Sequence, residues 1–395
     1  MNTMIRVLTF NKYYLPGFRA GGPIRTLANM ADHLGREISF EIITTDRDVG
    51  DDASFAGVEV DTWNRCGLAN VYYSSKDART FTSLVRLVHS TPCDLIYLNS
   101  FLDPIFSFKI LLARTLGLIP RLPVVLAPRG EFSPGAWALN RLKKVAYLKV
   151  CKSLGFYRGI TWQASSDREE ADILRIIPDA KVVIARDLSP IIIDDSCEIS
   201  RVLRVSGGPV RICFLSRISP KKNLDYAIRV LSHVEYPVEF SIYGPVSDQD
   251  YWEKCQDLIS SLPDNIRVTY QGSILPELVS SVLRQYDLFF LPTRGENYGH
   301  VIHEALSAGL PVLISDQTPW TGLEAQGVGW ALPLQQKDAF IAVINEVSNW
   351  TEFQFEKAHV NAIKYASDNS TDDAILRANR DLFEVARLGK EVLIQ

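Results

Sequence analysis

Two glutamates separated by seven residues, Glu296 and Glu304, stand in the stretch Arg294-Gly-Glu-Asn-Tyr-Gly-His-Val-Ile-His-Glu-Ala-Leu-Ser-Ala-Gly309. The first follows the apolar run Asp287-Leu-Phe-Phe-Leu291, and the second lies in an amphipathic run after Gly299. A strand, a polar loop and a helix in that order leave backbone N–H groups at the helix start, where a phosphate is welcome. Carboxylates there make little sense for phosphate alone, but they accept hydrogen bonds from the hydroxyls of a neutral polyol beside it. One carboxylate on a ribose and one on a hexose would describe a nucleotide-sugar site. A second set of groups fits the same ligand. Ser216-Arg-Ile-Ser-Pro-Lys-Lys-Asn223 follows the strand-like run Val210–Leu215, so Arg217 and Lys222, with Lys221 as an alternate, emerge at a strand end. Two fixed cations suit a diphosphate whose charge grows as the sugar leaves. Gly21-Gly22-Pro23, flanked by Arg19 and Arg25, opens a helix. Its glycines let backbone approach a ligand closely, and proline suits the first helical position.

These groups need a scaffold, and the apolar pattern supplies one. In the first half, strands are expected at Ile5–Phe10, Ile38–Thr44, Asp94–Leu98, Val124–Ala127 and Ile160–Gln163, with helical stretches between most of them. The first helix opens at Pro23, presents Ile24, Leu27, Ala28, Ala31 and Leu34 on one face, and ends at Gly35. The turn-rich stretch Asp187 to Pro209 reads as a linker. The alternation then restarts with Val210–Leu215, a helix from Asn223, Val238–Tyr243, a helix near Trp252, Ile266–Tyr270, Asp287–Leu291 and Pro311–Ile314. Strands separated by helices imply parallel sheets covered on both faces. The expected fold class is α/β, with two doubly wound Rossmann-like domains facing across a cleft and a ligand at the carboxyl ends of both sheets. The boundaries are 1–190, a linker at 191–209, 210–370, and a final helix within 371–395 that could cross back to the first domain.

Bulk properties narrow the function classes. The chain has 395 residues, 47% of them hydrophobic and 22% charged, a globular composition long enough for two domains. A net charge of -4 argues against general nucleic-acid binding. The six cysteines are scattered without a Cys-x-x-Cys pair, as expected for reduced packing residues of a cytoplasmic protein. Neither a signal-peptide layout nor an apolar run of membrane-spanning length is present. No zinc spacing and no P-loop occur. His300 and His303 lack the four-residue metal spacing; His303 reads as packed, and His300 could approach a ligand. Locally, residues 109–158 carry ten basic residues and one acid, Glu131. Leu139, Leu142, Val145, Ala146 and Leu148 interleave with the bases at helical spacing, so the segment could lie on an anionic membrane or pack on its own domain.

Glu-x7-Glu, followed by Ala308-Gly-Leu-Pro-Val312 and Thr318-Pro-Trp-Thr-Gly-Leu-Glu324, resembles the signature of the GT4 retaining glycosyltransferases, whose fold is GT-B. The resemblance implies residue roles. Arg217 and Lys222 match the Arg-x4-Lys that holds the diphosphate, and Gly21-Gly22 match the loop that contacts donor phosphate. Glu304 would hold the ribose and Glu296 the transferred hexose, with Asn297, Tyr298 and Gly299 offering backbone N–H groups. Tyr243-Gly244-Pro245 and Gln271-Gly272-Ser273 would line the base and phosphate pocket. It also implies a metal-independent reaction without cofactor, so Asp46-Arg-Asp48, which mimics the metal-holding Asp-x-Asp of the other large glycosyltransferase fold, is discounted. One family feature is missing: Val124-Val-Leu-Ala-Pro-Arg-Gly-Glu-Phe-Ser-Pro134 has no histidine. Arg129 could instead hold an acceptor phosphate and Glu131 could orient or deprotonate an acceptor hydroxyl, or either could be structural; Asn99 is a further acceptor candidate.

The expectation is a retaining transfer of a hexose from a nucleoside diphosphate sugar, UDP-linked by preference, to a glycan or lipid-linked acceptor in bacterial surface polysaccharide biosynthesis. The enzyme would be cytoplasmic, with peripheral membrane contact through 109–158. The rival expectations are a nucleotide-sugar epimerase on the same fold and a non-catalytic sugar-nucleotide-binding partner.

Overall fold

Eight strands form the first sheet: β1 (Ile5–Phe10), β2 (Ile38–Thr45), β3 (Trp63–Cys66), β4 (Ala69–Ser74), β5 (Leu95–Leu98), β6 (Val124–Leu126), β7 (Ile160–Ala164) and β8 (Lys181–Ile184). Their order is β3-β4-β2-β1-β5-β6-β7-β8. Six more, β9 (Val210–Leu215), β10 (Val238–Tyr243), β11 (Ile266–Gly272), β12 (Leu288–Leu291), β13 (Val312–Ser315) and β14 (Gly329–Leu332), form a second sheet ordered β11-β10-β9-β12-β13-β14. This computed structural model describes residues 4–138, 140–191, 208–370 and 372–389. The chain divides into two compact units, Met1–Ile191 with Asp372–Gln395, and Ile192–Thr371.

The central strands are short and apolar because helices bury both of their faces. All residues of β5, β7, β12 and β13 are buried. In the first unit, Val7, Phe40, Leu95 and Tyr97 belong to one core and Leu8, Ile96, Leu98 and Trp162 to another, as alternation along a strand requires. The first helix, Gly22–Leu34, is set by Gly21 at φ 71 and a proline in its first turn. Gly35 follows it in right-handed geometry, so it is not needed for a left-handed cap. A Cβ there would lie 2.4 Å from the Ala31 carbonyl oxygen and 2.6 Å from Leu68 Cβ. The glycine is a point of close packing.

Three expectations change. The first sheet is not wholly parallel, because β3 and β4 make an antiparallel edge pair. β8 and β14 add edge strands; at Gly329 in β14 a Cβ would sit 2.1 Å from the Val312 carbonyl oxygen, so this glycine serves strand pairing. The start of the proposed linker belongs to the first unit. Asp187 and Leu188 are buried, Asn29 Nδ2 donates to the Leu188 carbonyl at 2.7 Å, and Asn379 Nδ2 donates to the Arg186 carbonyl at 2.7 Å. Residues 192–207 of that linker, and Leu139, lie outside the described residues.

The Asp373–Leu388 helix returns to the first unit. Its Leu382, Phe383 and Ala386 enter the same core as Phe40 and Tyr97, and the Phe383 ring lies 5.3 Å from that of Tyr97.

In each sheet the connections reverse direction at one place: between β1 and β5 in the first, between β9 and β12 in the second. Loops diverge there and leave a crevice at the carboxyl ends of the strands. Gly21, Gly22 and Asn99 follow β1 and β5; Arg217, Lys222 and Glu296 follow β9 and β12.

Candidate active site

In the second unit, the loop after β9 is built against the loop after β12. Arg294 N donates to the Lys221 carbonyl at 2.8 Å, and Thr293 Oγ1 donates to the same oxygen at 3.2 Å. Asn223, in left-handed geometry before the Leu224–Leu231 helix, donates through Nδ2 to the Pro292 carbonyl at 2.9 Å and accepts from Arg294 Nε at 3.0 Å. The two loops are thereby fixed before any ligand arrives.

Their joining brings Lys222 Nζ onto Glu296 Oε1 in an ion pair whose side chains are 12% and 11% exposed. Burial alone would raise the Glu296 carboxyl. The charge and hydrogen bond of Lys222, then Lys221 and a Thr293 hydrogen bond, bring it below the ordinary glutamate value. Glu296 is thus a carboxylate at neutral pH, able to accept from hydroxyls and not to act as an acid. Arg217 is exposed and makes no hydrogen bond or ion pair among the described residues. With Lys221 and Lys222 it gives this loop three cations against the single Glu296 carboxylate.

Gly244 has a steric role here. A Cβ would fall 2.0 Å from the Ser216 carbonyl oxygen, so only glycine lets the β10 turn pass beneath the Arg217 loop. Ser216 N and Ile218 N donate to the Tyr243 and Pro245 carbonyls at 3.0 and 2.9 Å, fixing that approach. Gly272, at φ 75, accepts from Gly244 N at 2.8 Å and has open space where a side chain would stand.

The helix His300–Ser307 starts at Gly299, φ 84, with no side-chain cap. Trp320 Nε1 donates to the Tyr298 carbonyl at 2.6 Å and orients the preceding turn. Asn297 Nδ2 is buried without a hydrogen-bond partner among the described residues. His300 is buried with its ring 4.7 Å from that of Tyr298. Burial holds the His303 imidazole down to about 4, so it is neutral, and it packs between Tyr298 and Trp320. Glu304, one turn into the helix, is half-buried.

In the first unit, Gly21 and Gly22 have open space at their Cβ positions. The loop before them is held by Asp48, which accepts from Phe18 N at 2.8 Å and Arg19 N at 3.1 Å. Asp46 is engaged by Arg47 and Ser54. The Asp-x-Asp stretch is therefore a loop brace, and no cluster of metal-ligating side chains occurs among the described residues.

Arg129 does not fit the expected role of holding an acceptor phosphate. Its side chain is 8% exposed and pairs with Asp187 at 2.7 Å. It also donates to Tyr97 Oη at 2.5 Å and twice to Asn99 Oδ1, at 2.8 and 3.3 Å. A guanidinium whose charge is met by a buried carboxylate has little left for a phosphate. Glu131 accepts from Ser100 Oγ at 2.7 Å, Phe101 N at 2.6 Å and Leu102 N at 3.0 Å. Burial pushes its carboxyl up to about 7 despite those donors. It braces the loop after β5. Sequence reading missed Asp187, Asn223 and Thr293; all three act through partners far away in the chain.

Within the basic segment 109–158, the stretch where bases and apolar residues interleave forms the Arg141–Ser153 helix. Val145, Tyr147 and Leu148 pack against the unit's own core, and Cys151 is buried. The other side exposes Leu142 (87%) and Val150 (52%) among Arg141, Lys143, Lys149 and Lys152. No helix among the described residues is long and apolar enough to cross a membrane.

Residues 195–367 match the model of the family "Glycosyl transferases group 1". An uncharacterized glycosyltransferase of Methanocaldococcus jannaschii is 22% identical over 260 residues, which span 62% of this chain and 64% of that relative. Among solved structures, Anabaena HepE in complex with UDP and glucose aligns with a TM-score of 0.64 at 17% identity, covering 96% of this chain and 99% of HepE. Sucrose-phosphate synthase from Thermosynechococcus elongatus aligns with a TM-score of 0.70 at 15% identity over 98% of this chain and 100% of its own. WaaG, a glycosyltransferase involved in lipopolysaccharide biosynthesis, aligns with a TM-score of 0.64 at 16% identity over 96% and 99%. The chain thus has the GT-B fold of two Rossmann-like units, and its residues 195–367 match the model of the group 1 glycosyl transferases.

Proposed function

We propose that this protein is a retaining, GT4-like hexosyltransferase that takes a hexose from a nucleoside diphosphate sugar, UDP-linked by preference, and passes it to a glycan or lipid-linked acceptor. The observation that carries the reading is the Lys222–Glu296 pair at the β9/β12 reversal, with Arg217 and Lys221 adding cationic charge. A lone ion pair would be self-sufficient. This one sits where backbone and charge favour an anionic ligand, and its carboxylate stays ionised to accept hydroxyls. Arg217 and Lys222 hold the diphosphate, Glu296 the hexose and Glu304 the ribose. Gly272 and the 297–299 turn let backbone approach the donor.

In the transfer, the bond from the anomeric carbon to the diphosphate oxygen breaks as negative charge builds on that oxygen. The acceptor oxygen bonds to the same carbon, and its proton passes to the departing phosphate. Arg217 and Lys222 stabilise the charge that develops. Two structures of like fold are named with fitting ligands: Anabaena HepE with UDP-glucose, and an E. coli trehalose-6-phosphate structure bound with UDP-2-fluoro glucose. No resident metal or cofactor enters this scheme. A role in bacterial surface polysaccharide assembly, at the cytoplasmic membrane face through the basic Arg141–Ser153 helix, completes the reading.

Thermal shift with a panel of UDP and GDP sugars tests the donor site. One nucleotide series should stabilise the wild type, and Lys222→Ala and Glu304→Ala should lose that shift. No stabilisation by any member, with or without a glycan acceptor present, would remove the reading. Product analysis without acceptor separates transfer from epimerisation.

A further inference from the structure

The polar network at the β1/β5 reversal of the first unit deepens the proposed function and rests on it. We infer that Asn99 donates a hydrogen bond to a neutral sugar hydroxyl of the acceptor, and that Arg129 is the positioning residue that aims it.

Asn99 follows β5 and is 6% exposed. An amide can turn either end toward a neighbour, but a guanidinium only donates. Arg129 Nε and Nη2 both donate to Asn99 Oδ1, which fixes the amide orientation chemically. The remaining group, Nδ2, is buried with no hydrogen-bond partner among the described residues. A buried amide donor left unmet is costly, and such groups recur where a ligand completes them.

Arg129 is itself anchored from three sides: Asp187, Tyr97 Oη and Asn99. Asp187 Oδ2 accepts from Thr26 Oγ1 at 3.0 Å, tying the network to the Gly22–Leu34 helix, and Tyr97 Oη donates to Gln163 Oε1. Arg129 adopts φ 53, a left-handed conformation that costs energy for a side-chain-bearing residue, and Gly130 N donates to Glu169 Oε1 at 2.6 Å to hold the turn. Strain maintained by this many contacts, beside the unmet Asn99 donor, marks a group being aimed.

The chemistry selects the ligand oxygen. The Arg129–Asp187 pair is internally neutral, and a phosphate placed against it would meet the Asp187 carboxylate. The unmet groups here are uncharged. Besides Asn99 Nδ2 there is the Thr9 hydroxyl, buried and unpartnered among the described residues, on β1 opposite Tyr97. An amide donor and a hydroxyl complement a sugar hydroxyl, which both accepts and donates.

The full-length wild type, Asn99→Ala, Asn99→Asp and Arg129→Lys decide the matter. Saturation-transfer NMR would use methyl glycosides of glucose, galactose and mannose as neutral probes, and glucose 1-phosphate and inorganic phosphate as anionic ones. UDP-glucose binding would be followed in parallel by thermal shift. At least one methyl hexoside should bind the wild type. All three variants should weaken it about three- to tenfold, the value of one hydrogen bond, with UDP-glucose affinity unchanged. Arg129→Lys keeps the charge but loses the double grip on Oδ1; should it fail to fold, the two Asn99 variants still decide. Binding of no hexoside, hexoside affinity unchanged in Asn99→Ala, binding of the phosphate probes alone, or joint loss of UDP-glucose affinity would each overturn the inference. Asn99-dependent hexoside binding without any nucleotide-sugar binding would instead overturn the transferase reading and leave this subsite standing.

Discussion

The two sheets each end in a cation–carboxylate pair, and the pairs differ in what surrounds them. Lys222–Glu296 stands among further cations: Lys221 lies close enough to lower the Glu296 carboxyl, and Arg217 is exposed on the same loop. Arg129–Asp187 is met from within its own unit, with Tyr97 and Asn99 accepting from the guanidinium and Thr26 donating to the carboxylate. The first arrangement stores positive charge for an anionic ligand. The second stores orientation. Pairing a lysine with a glutamate and an arginine with an aspartate says little by itself; surplus charge around the pair separates a binding device from a structural one.

The largest expected effect breaks the comparison at the charged site. Lys222→Ala should lower transfer, measured as nucleotide release in the presence of acceptor, by about a hundred- to a thousandfold. Its loss of stability should be smaller than that of the arginine variant described next, because the charge of Lys221 still acts on Glu296. The opposite pattern should hold for Arg129→Met. Removing one member of a buried pair costs about 3–5 kcal/mol, so denaturant unfolding should show a large loss of stability. If Lys222→Ala is the more destabilised of the two, the contrast fails.

A smaller effect concerns Glu131. Its folded-state value is raised from 4.5 to about 7, so the folded protein binds the proton more tightly than the unfolded chain. The stabilisation from this group is therefore full below about 4.5 and is lost as pH rises through about 7. Glu131→Gln should be flatter than wild type in melting temperature across that window. Glu296 carries the opposite sign: its contribution is present above 4.5 and lost on acidification. Turnover unchanged in Glu131→Gln would remove Glu131 from proton transfer and leave it as a loop brace. The smallest expected change is at the Arg141–Ser153 helix. Lys149→Gln should weaken binding to anionic vesicles about fivefold, the worth of one basic residue at such a surface. Binding to neutral vesicles should not depend on it.

Much of the charged site was legible because it obeys local rules. Val210–Leu215 and Val238–Tyr243 read as strands from their β-branched and aromatic runs, and the residues just after such strands lie at the ligand edge of an α/β sheet. The placing of Arg217, Lys222 and Glu296 at that edge followed from position, and their roles from the family resemblance. The neutral site was legible only in part: Asn99 and Arg129 stood out after their strands, but the partners that set the role of Arg129 did not. Arg129 finds Asp187 58 residues away, and Thr26 finds it across 161. No periodicity encodes such partners, so Asp187 looked like the first residue of a linker. Edge elements also escaped. Trp63–Cys66 is short and largely exposed, and Ala69–Ser74 beside it mixes Asn70 and Ser74 with its apolar residues, without the apolar density of a central strand. Gly35 does end the first helix as its position suggested, but in right-handed geometry and at a point of close packing.

The return of the Asp373–Leu388 helix sets an order of assembly. Phe383 packs on Phe40 and Tyr97, residues synthesised an entire second unit earlier. While the ribosome is still making residues 208–370, the first unit waits with that apolar face uncovered. It completes its core only when the helix emerges. Folding of the first-made half is thus coupled to completion of translation beyond the second unit, and a nascent chain stalled before residue 373 would be a substrate for chaperones.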